Sequence, residues 1–496
     1  CWRVQIAASR PRAMAGEKGG KEHYNLMAPA RRVLIVGGGL AGLAAARELR
    51  GRFRVTVVDA KEYFEFTSGI FRAYAEPGHW DSLTFPYKEI LERTFGVGFI
   101  FGEVLAIDGD RREATVKTIF AVEEDIVPFD FCLIAGGCNF NSLSPIGESQ
   151  WFPTIHGKHR LSSEVRHLDE RFLEGRRRRI LEEHQALAQL NHQQGTVLVN
   201  GAGFMGVEWA CELKHFFPKL RVTVIDFLPR CLGPLPEDAA RYCEEYMKNV
   251  GIKTVYKVKY NPNDSGFWSK IGMPKRANRT YNCAGVKQSN YFMPSNTLSD
   301  KGPGGGGWIL INKHLQVITK SQDVWGGGTI FACGDCSVAC VGERLKPSQS
   351  EARKGRSATE PASPTQENWE IPPMPKTGYP AEQQAVHASK NICAKDRELY
   401  GGSAWLCCIP LPGCCGRTQL RSTWYPWGAG IFAISLGPND GCFIVGTNNH
   451  KNSGRLQHRG HFAAALKELI ETTKIAHCRG DHYISAFLWY TIHHWP

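Results

Sequence analysis

Gly37, Gly39 and Gly42 form a GxGxxG run, and the same spacing returns at Gly201, Gly203 and Gly206. Such a run makes a tight turn, lets the backbone approach a pyrophosphate and packs a helix close on a strand. The N-terminus of that helix favours an anion. About twenty residues after each run stands an acid, Asp59 and Asp226, where a carboxylate can accept both hydroxyls of an adenosine ribose. Asp226 favours the free 2′-hydroxyl of NADH over the 2′-phosphate of NADPH, while Arg230 nearby keeps NADPH open as the alternative. Glu208, near the start of the second helix, suits two readings: a group facing the nicotinamide side of the crevice, or an acid placed for the helix dipole.

The elements around these residues have to position them. An apolar run at 33–36, helical periodicity at 40–49 and a second apolar run at 55–58 predict strand, turn, helix, strand. The same order recurs at 196–200, 208–217 and 222–225, so the fold class is α/β with two Rossmann-like doubly wound domains. Loop-like stretches at 261–278, 301–307 and 342–375 read as surface insertions. A helix is expected at 380–395. Beyond it lies a smaller α+β region with short strands at 430–435 and 441–445, an amphipathic helix at 461–475 and an aromatic tail ending at Trp495.

A chain of 496 residues, 42% hydrophobic and 22% charged, has room for two or three globular domains. Its formal charge of +12 is partly local, in the first 32 residues and in the run Arg176, Arg177, Arg178 and Arg179, which is expected on a solvated face. No nucleic-acid partner is expected. No apolar run reaches the roughly 18 residues a spanning helix needs, so membrane contact would be peripheral. The chain opens at Cys1, and its basic stretch to about Ala30 fits an organellar transit segment as well as an extension ahead of Met14 or Met27.

Seventeen scattered cysteines in a long chain suit a reducing compartment or an organelle interior. Cys407, Cys408, Cys414 and Cys415 cluster, but adjacent cysteines rarely point into one tetrahedron, and no metal is expected there or elsewhere.

The two cradles in this order resemble two-dinucleotide-binding-domain flavoproteins, and within them the type II NADH:quinone oxidoreductases and the ferroptosis suppressor branch of the apoptosis-inducing-factor-like proteins. The resemblance covers roughly 32–392. Thr329 to Asp335 resembles the second FAD motif, Phe129 to Gly137 the strand and turn leaving the FAD domain, and Tyr281 to Gly285 the equivalent turn of the NAD domain. Gly136 stands where the family has threonine, which weakens that turn's contact with cofactor. Lys376 to Gln384 resembles the helix start beneath the flavin ring, whose positive end favours an anionic reduced flavin.

The resemblance implies a FAD domain split by an inserted NAD domain: a basic extension over 1–30, FAD parts at 31–145 and 315–395 with the insertion 342–375, an NAD(P)H domain at 146–314 and a C-terminal region at 396–496. It implies FAD contacts from Gly37, Gly39, Gly42, Asp59, Lys61, Phe66, Thr67, Ser68, Val104, Ala135, Gly136, Gly137, Gly334 and Asp335. Gly201, Gly203, Gly206, Asp226 and Gly285 would hold NADH. Glu208, Gln383 and Gln384 would stand at the catalytic centre.

No cysteine pair follows the first cradle where disulfide reductases of this superfamily carry one, and Cys333 and Cys336 fall inside the aspartate motif. A quinone is therefore the expected acceptor. Phe462, Leu466, Leu469, Ile470 and Thr473 share one side of the last helix, which either packs on the core or lies on a membrane that supplies the quinone; the tail Phe487, Leu488, Trp489, Tyr490 and Trp495 favours an interface. The expected setting is membrane-associated in a mitochondrion or other organelle, with the cytoplasm as alternative. Two other classes stay open: a ferredoxin or rubredoxin reductase, and a non-catalytic flavin-bearing subunit of a larger assembly. A homodimer is also compatible.

Overall fold

Arg32–Val36 lies parallel between Arg54–Asp59 and Phe131–Ile134, with Val33, Leu34, Ile35 and Val36 all buried. An unbroken apolar run suits a strand covered on both faces. The computed structural model describes residues 30–140, 169–339 without 234 and 274, 376–401, 419–422, 430–446, and 456–494 without 482. The described residues from Arg31 onward belong to one compact unit.

The first sheet has seven strands in the order Ile330–Ala332, Phe131–Ile134, Arg32–Val36, Arg54–Asp59, Gly98–Asp108, Glu113–Thr118, Asp125–Pro128. Its first five strands run parallel and the last two complete an antiparallel meander. The strand Ile330–Ala332 thus arrives from beyond the second sheet in sequence. Helix Leu40–Leu49 buries Ala41, Ala45 and Ala46, and the long helix Gly378–Tyr400 buries Ala381, Ala385 and Ala388. These two helices pack on each other, and such small side chains let their backbones approach closely.

The second sheet is parallel, in the order Lys253–Val255, Arg221–Ile225, Thr196–Asn200, Arg279–Asn282. Its helix spans Phe204–Phe216, four residues earlier than the apolar periodicity alone suggests, because it starts directly from Gly203. A three-stranded antiparallel meander, Gly430–Ser435, Gly441–Gly446 and Leu456–Arg459, leads to helices His461–Arg479 and Tyr483–His494.

Two expectations are corrected. Segment 261–278 is not only surface: a short helix, Phe267–Lys270, and the turn after it bury Phe267, Trp268, Ile271 and Met273 in a satellite core with Leu198 and Ile225. Its helical spacing of apolar side chains carried that signal. Arg176 is not solvated either but 0% exposed, bonded to both oxygens of Glu65 and to Glu170 and Tyr74. A buried guanidinium needs such pairing, whereas Arg177 and Arg178 do face solvent. The segment 342–375, the cysteines 407–415 and Trp495 lie outside the described residues.

Candidate dinucleotide sites and the junction between them

The parallel topology gathers the first site. Three neighbouring strands end together, and the turns leaving them carry Gly37 to Gly39, Ala135 to Gly137 and Cys333 to Asp335. Crevices at the carboxyl ends of parallel strands are where such folds bind ligands. Gly37 has φ +99°, and a Cβ there would lie 2.5 Å from the Ala135 carbonyl oxygen, so only glycine fits. A Cβ on Gly42 would overlap the Gly37 carbonyl oxygen, whereas Gly39 faces open space.

Asp59 accepts from the Gly38 amide at 2.7 Å and the Lys61 amide at 2.8 Å, with the Lys61 ammonium 3.4 Å away. The carboxylate is thereby aimed at the cradle and keeps lone pairs for a ribose. Phe66 is buried and precedes the turn Thr67–Gly69, which leaves Thr67 and Ser68 exposed. The ladder of Val104 shifts register between Val104 and Ala106, an irregularity that interrupts regular main-chain pairing there. Gly137 has φ +71°, and a side chain at Gly136 would meet nothing within 4 Å.

Gly334, at φ +73°, packs against Ala381 and Ala41, and its amide donates to the Gln384 side-chain oxygen at 2.7 Å. Gln384 thus spends its side chain joining the aspartate turn to the long helix, while Gln383 lies beside it in the same first turns. Burial lifts the Asp335 carboxyl to about 6, against the pull of the Lys376 ammonium. That ammonium donates to the carbonyl oxygens of Asp335 and Ser337 at 3.0 and 2.8 Å and lies 4.4 Å over the Trp308 ring. Burial raises the Cys333 thiol far above its ordinary value and the Cys336 thiol to about 11, so both stay protonated.

The second site repeats the first in backbone. Gly201 has φ +108°, a Cβ there would sit 2.8 Å from Cys283 and Ala284 backbone, and a Cβ on Gly206 would overlap the Gly201 carbonyl oxygen. Gly203 is open on that side, and Gly285 turns at φ +76°. Asp226 accepts from the Ala202 and Leu228 amides at 2.6 and 2.8 Å. Arg230 points elsewhere: its guanidinium donates to the carbonyl oxygens of Cys231, Leu232, Gly233 and Leu235.

Glu208 does not stand at the helix start as a dipole partner. It is 7% exposed, and one carboxylate oxygen accepts from the Ser435 amide and the Lys467 ammonium. Burial raises its pKa, and Lys467 opposes the rise. Glu208 lines a cavity of about 200 Å³ together with Ser68, Gly69, Arg72, His79, Glu212, Ser435, Lys467 and Glu471. Three polar side-chain contacts close it, the ion pairs of Arg72 with Glu212 and Lys467 with Glu208 and the contact of the His79 imidazole with Glu471. Each joins a different two of three parts: segment 68–79, the helix Phe204–Phe216 and the helix His461–Arg479.

The residues present fit a resident dinucleotide in the first cradle. Space is open at Gly39, and the Tyr87 hydroxyl against Gly38 is buried with no hydrogen-bond partner among the described residues. Lys467 and Tyr87 escaped sequence reasoning, and Lys376 enters it only as the first residue of the helix-start run, without a role of its own. Lys376 directly precedes the predicted helix start and could have been read as a charge at the site; Tyr87 and Lys467 carry no motif spacing.

Two sheets with parallel cores, each with a glycine cradle and an acid, define a class of dinucleotide-dependent oxidoreductase. The pyridine nucleotide-disulphide oxidoreductase family profile matches residues 31–360, and the chain belongs to that family. The type II NADH:quinone oxidoreductase of Staphylococcus epidermidis (strain ATCC 12228 / FDA PCI 1200) is 24% identical over 473 residues, 90% of this chain and 95% of the relative. The enzyme of that name from Staphylococcus aureus (strain NCTC 8325 / PS 47) is 22% identical over 347 residues, 65% of this chain and 78% of its own. Two solved structures share the fold. The sulfide:quinone oxidoreductase of Aquifex aeolicus has a TM-score of 0.60 at 17% identity, covering 93% of this chain and 95% of that one. NDH2 from Plasmodium falciparum in complex with NADH has 0.59 at 13%, covering 91% and 97%.

Proposed function

We propose that this protein is a FAD-dependent oxidoreductase that oxidises NADH and reduces a quinone by two electrons, giving NAD⁺ and the quinol. The observation that carries it is the pair of cradles, each aimed by an acid, with no reactive dithiol at the first cradle among the described residues: Cys333 and Cys336 are buried and stay protonated. The curated relatives named above bear the same activity in their names.

Bound FAD would supply the acceptance of hydride and the onward transfer of electrons. Gly37, Gly39 and Gly42 would cradle its pyrophosphate, Asp59 its adenosine ribose, and Asp335 its ribityl and pyrophosphate portion. The main chain of Val104 would meet adenine, the turn Ala135 to Gly137 would border the cofactor, and the amides of Gln383 and Gln384 would face the flavin. Phe66, Thr67 and Ser68 would line the substrate side. Gly201, Gly203, Gly206, Asp226 and Gly285 would hold NADH, with Glu208 near the nicotinamide. Because Arg230 is engaged with four carbonyl groups, it is not placed to receive a 2′-phosphate, which favours NADH over NADPH.

In this reading the parts 31–145 and 315–395 bind FAD and 146–314 binds NADH. The region 396–496 would meet a membrane face peripherally: Phe462, Leu469, Ile484, Phe487 and Leu488 are exposed on its two helices, and among the described residues no helix is both long and apolar enough to span. An organelle such as the mitochondrion would suit the basic opening stretch, which lies outside the described residues.

One observation favours a second reading, a flavin-bearing subunit that does not turn over: Lys467 and Ser435 cap Glu208. Steady-state assays of purified protein with NADH and a short-chain quinone, against a disulfide acceptor, separate the cases. Quinone reduction without disulfide reduction is expected, and no turnover with either favours the subunit.

A further inference from the structure

The Tyr87 side chain is 0% exposed, and its hydroxyl has no hydrogen-bond partner among the described residues. A buried hydroxyl left unpaired costs free energy, so such a group calls for an explanation. Its surroundings hold the ring in place: the Phe99 ring lies 5.3 Å away centroid to centroid, and the Tyr87 amide donates to the Glu62 carbonyl at 3.0 Å. The phenol end is turned into the first cradle. A Cβ on Gly38 would lie 2.7 Å from Tyr87 Cζ and 2.9 Å from its oxygen, so the phenol occupies the place a side chain at Gly38 would take. Gly38 stands between the turn glycine and Gly39, which caps the ten-residue helix Leu40–Leu49. Asp59 is the acid beside it: its two oxygens accept one amide each, from Gly38 and Lys61, and its remaining lone pairs face the same cradle as the phenol. Burial, the Asp59 charge and the approach of the hydroxyl to the Asp59 side chain, which stops short of a hydrogen bond of ordinary geometry, raise the Tyr87 pKa well above its ordinary value and keep the hydroxyl a donor.

We propose that Tyr87 is a cofactor-positioning residue whose hydroxyl donates to an oxygen of the dinucleotide held in the first cradle, where the pyrophosphate meets the adenosine ribose. The inference rests on the FAD reading of that cradle. Tyr87 adds to it a side-chain donor beside the backbone amides, and a reason for glycine at position 38: a side chain there would displace the phenol.

The test is Tyr87→Phe, which removes the unpaired oxygen alone. FAD retention is measured on full-length purified wild type and variant by flavin fluorescence during stepwise dilution, and thermal unfolding is measured on flavin-stripped samples of both. The expected result is roughly tenfold weaker FAD retention, with the unfolding temperature of the stripped variant equal to or above that of wild type. A purely structural role would lower the stripped protein's unfolding temperature and leave FAD retention unchanged; that outcome overturns the inference. Equal retention with equal stability also overturns it, while leaving the FAD reading intact. A wild type that binds no FAD at all sinks the FAD reading itself. Gly38→Ala supplies a second variant, expected to push the phenol aside and weaken FAD retention at least as much; unchanged retention in it counts against the proposal.

Discussion

The two cradles are near copies in backbone and differ in what surrounds them. In each, the first glycine is forced to positive φ by a neighbouring strand's turn, the third packs against the first, and an acid takes one amide from the cradle and one from two residues beyond itself. The first cradle adds side chains: the Lys61 ammonium, the Tyr87 phenol and, across the crevice, a Gly334 turn pinned by Gln384. The second has Ala202 where the first has Gly38, and its nearest arginine is engaged with its own loop. A site built from several side chains suits a ligand that stays, and one built mostly of backbone suits a ligand that enters and leaves. That matches a resident flavin and an exchanging nicotinamide.

The comparison breaks most visibly at the third glycines. Gly42→Val is expected to yield protein without flavin and poorly folded, because the side chain meets the Gly37 carbonyl. Gly206→Val puts the same overlap on the Gly201 carbonyl, so it is expected to disturb the second sheet's cradle and lower protein stability as well, while the protein that folds stays yellow with NADH affinity reduced by about 100-fold or more, a loss of roughly 3 kcal/mol; visible spectra and NADH titration check both. Loss of flavin from Gly206→Val would mean that the two sites do not act separately.

The next effect concerns the C-terminal helix. Lys474 and Glu382 are buried and paired near the start of the helix Gly378–Tyr400, with Lys474 also 3.4 Å from the Trp489 ring. Lys474→Met removes the hydrogen-bonded cation of the buried Glu382 carboxylate and leaves it the Arg47 charge, so a cost of roughly 3 kcal/mol is expected in chemical denaturation. The variant should weaken flavin retention and spare the second cradle.

Asp335 gives a pH signature. Its folded pKa of about 6 exceeds its ordinary 3.8, so between these values the folded protein holds a proton that the unfolded chain has released. Stability of the flavin-stripped protein should therefore fall as pH rises from about 4 to 6. Denaturation midpoints across that window should flatten in Asp335→Asn.

The smallest expected effect is Arg230→Ala. Loss of its carbonyl contacts should cost about 1 kcal/mol, and the preference for NADH over NADPH should not change. A shift in that preference would show that Arg230 reaches the ribose after all.

Both cradles were legible because glycine spacing and a following acid are local in sequence and have one backbone explanation. The helix Leu40–Leu49 and the strand Thr196–Asn200 could be delimited to the residue for the same reason. What escaped was set by long-range packing. Arg176 reads as part of a basic run, and only the fold brings Glu65 and Glu170 around it. Glu208 was legible as a candidate, yet its cap by Lys467, 259 residues away, was not. The hydroxyl of Tyr87 belongs to the first cradle through a fold contact that no motif encodes.

The most direct test of the central claim is anaerobic stopped-flow mixing of purified flavin-loaded protein with NADH, followed by a quinone chase, read at the visible flavin absorbance. Rapid bleaching by NADH and recovery on quinone is the predicted result. Bound flavin that NADH leaves unbleached would contradict it and make the non-catalytic subunit the better account.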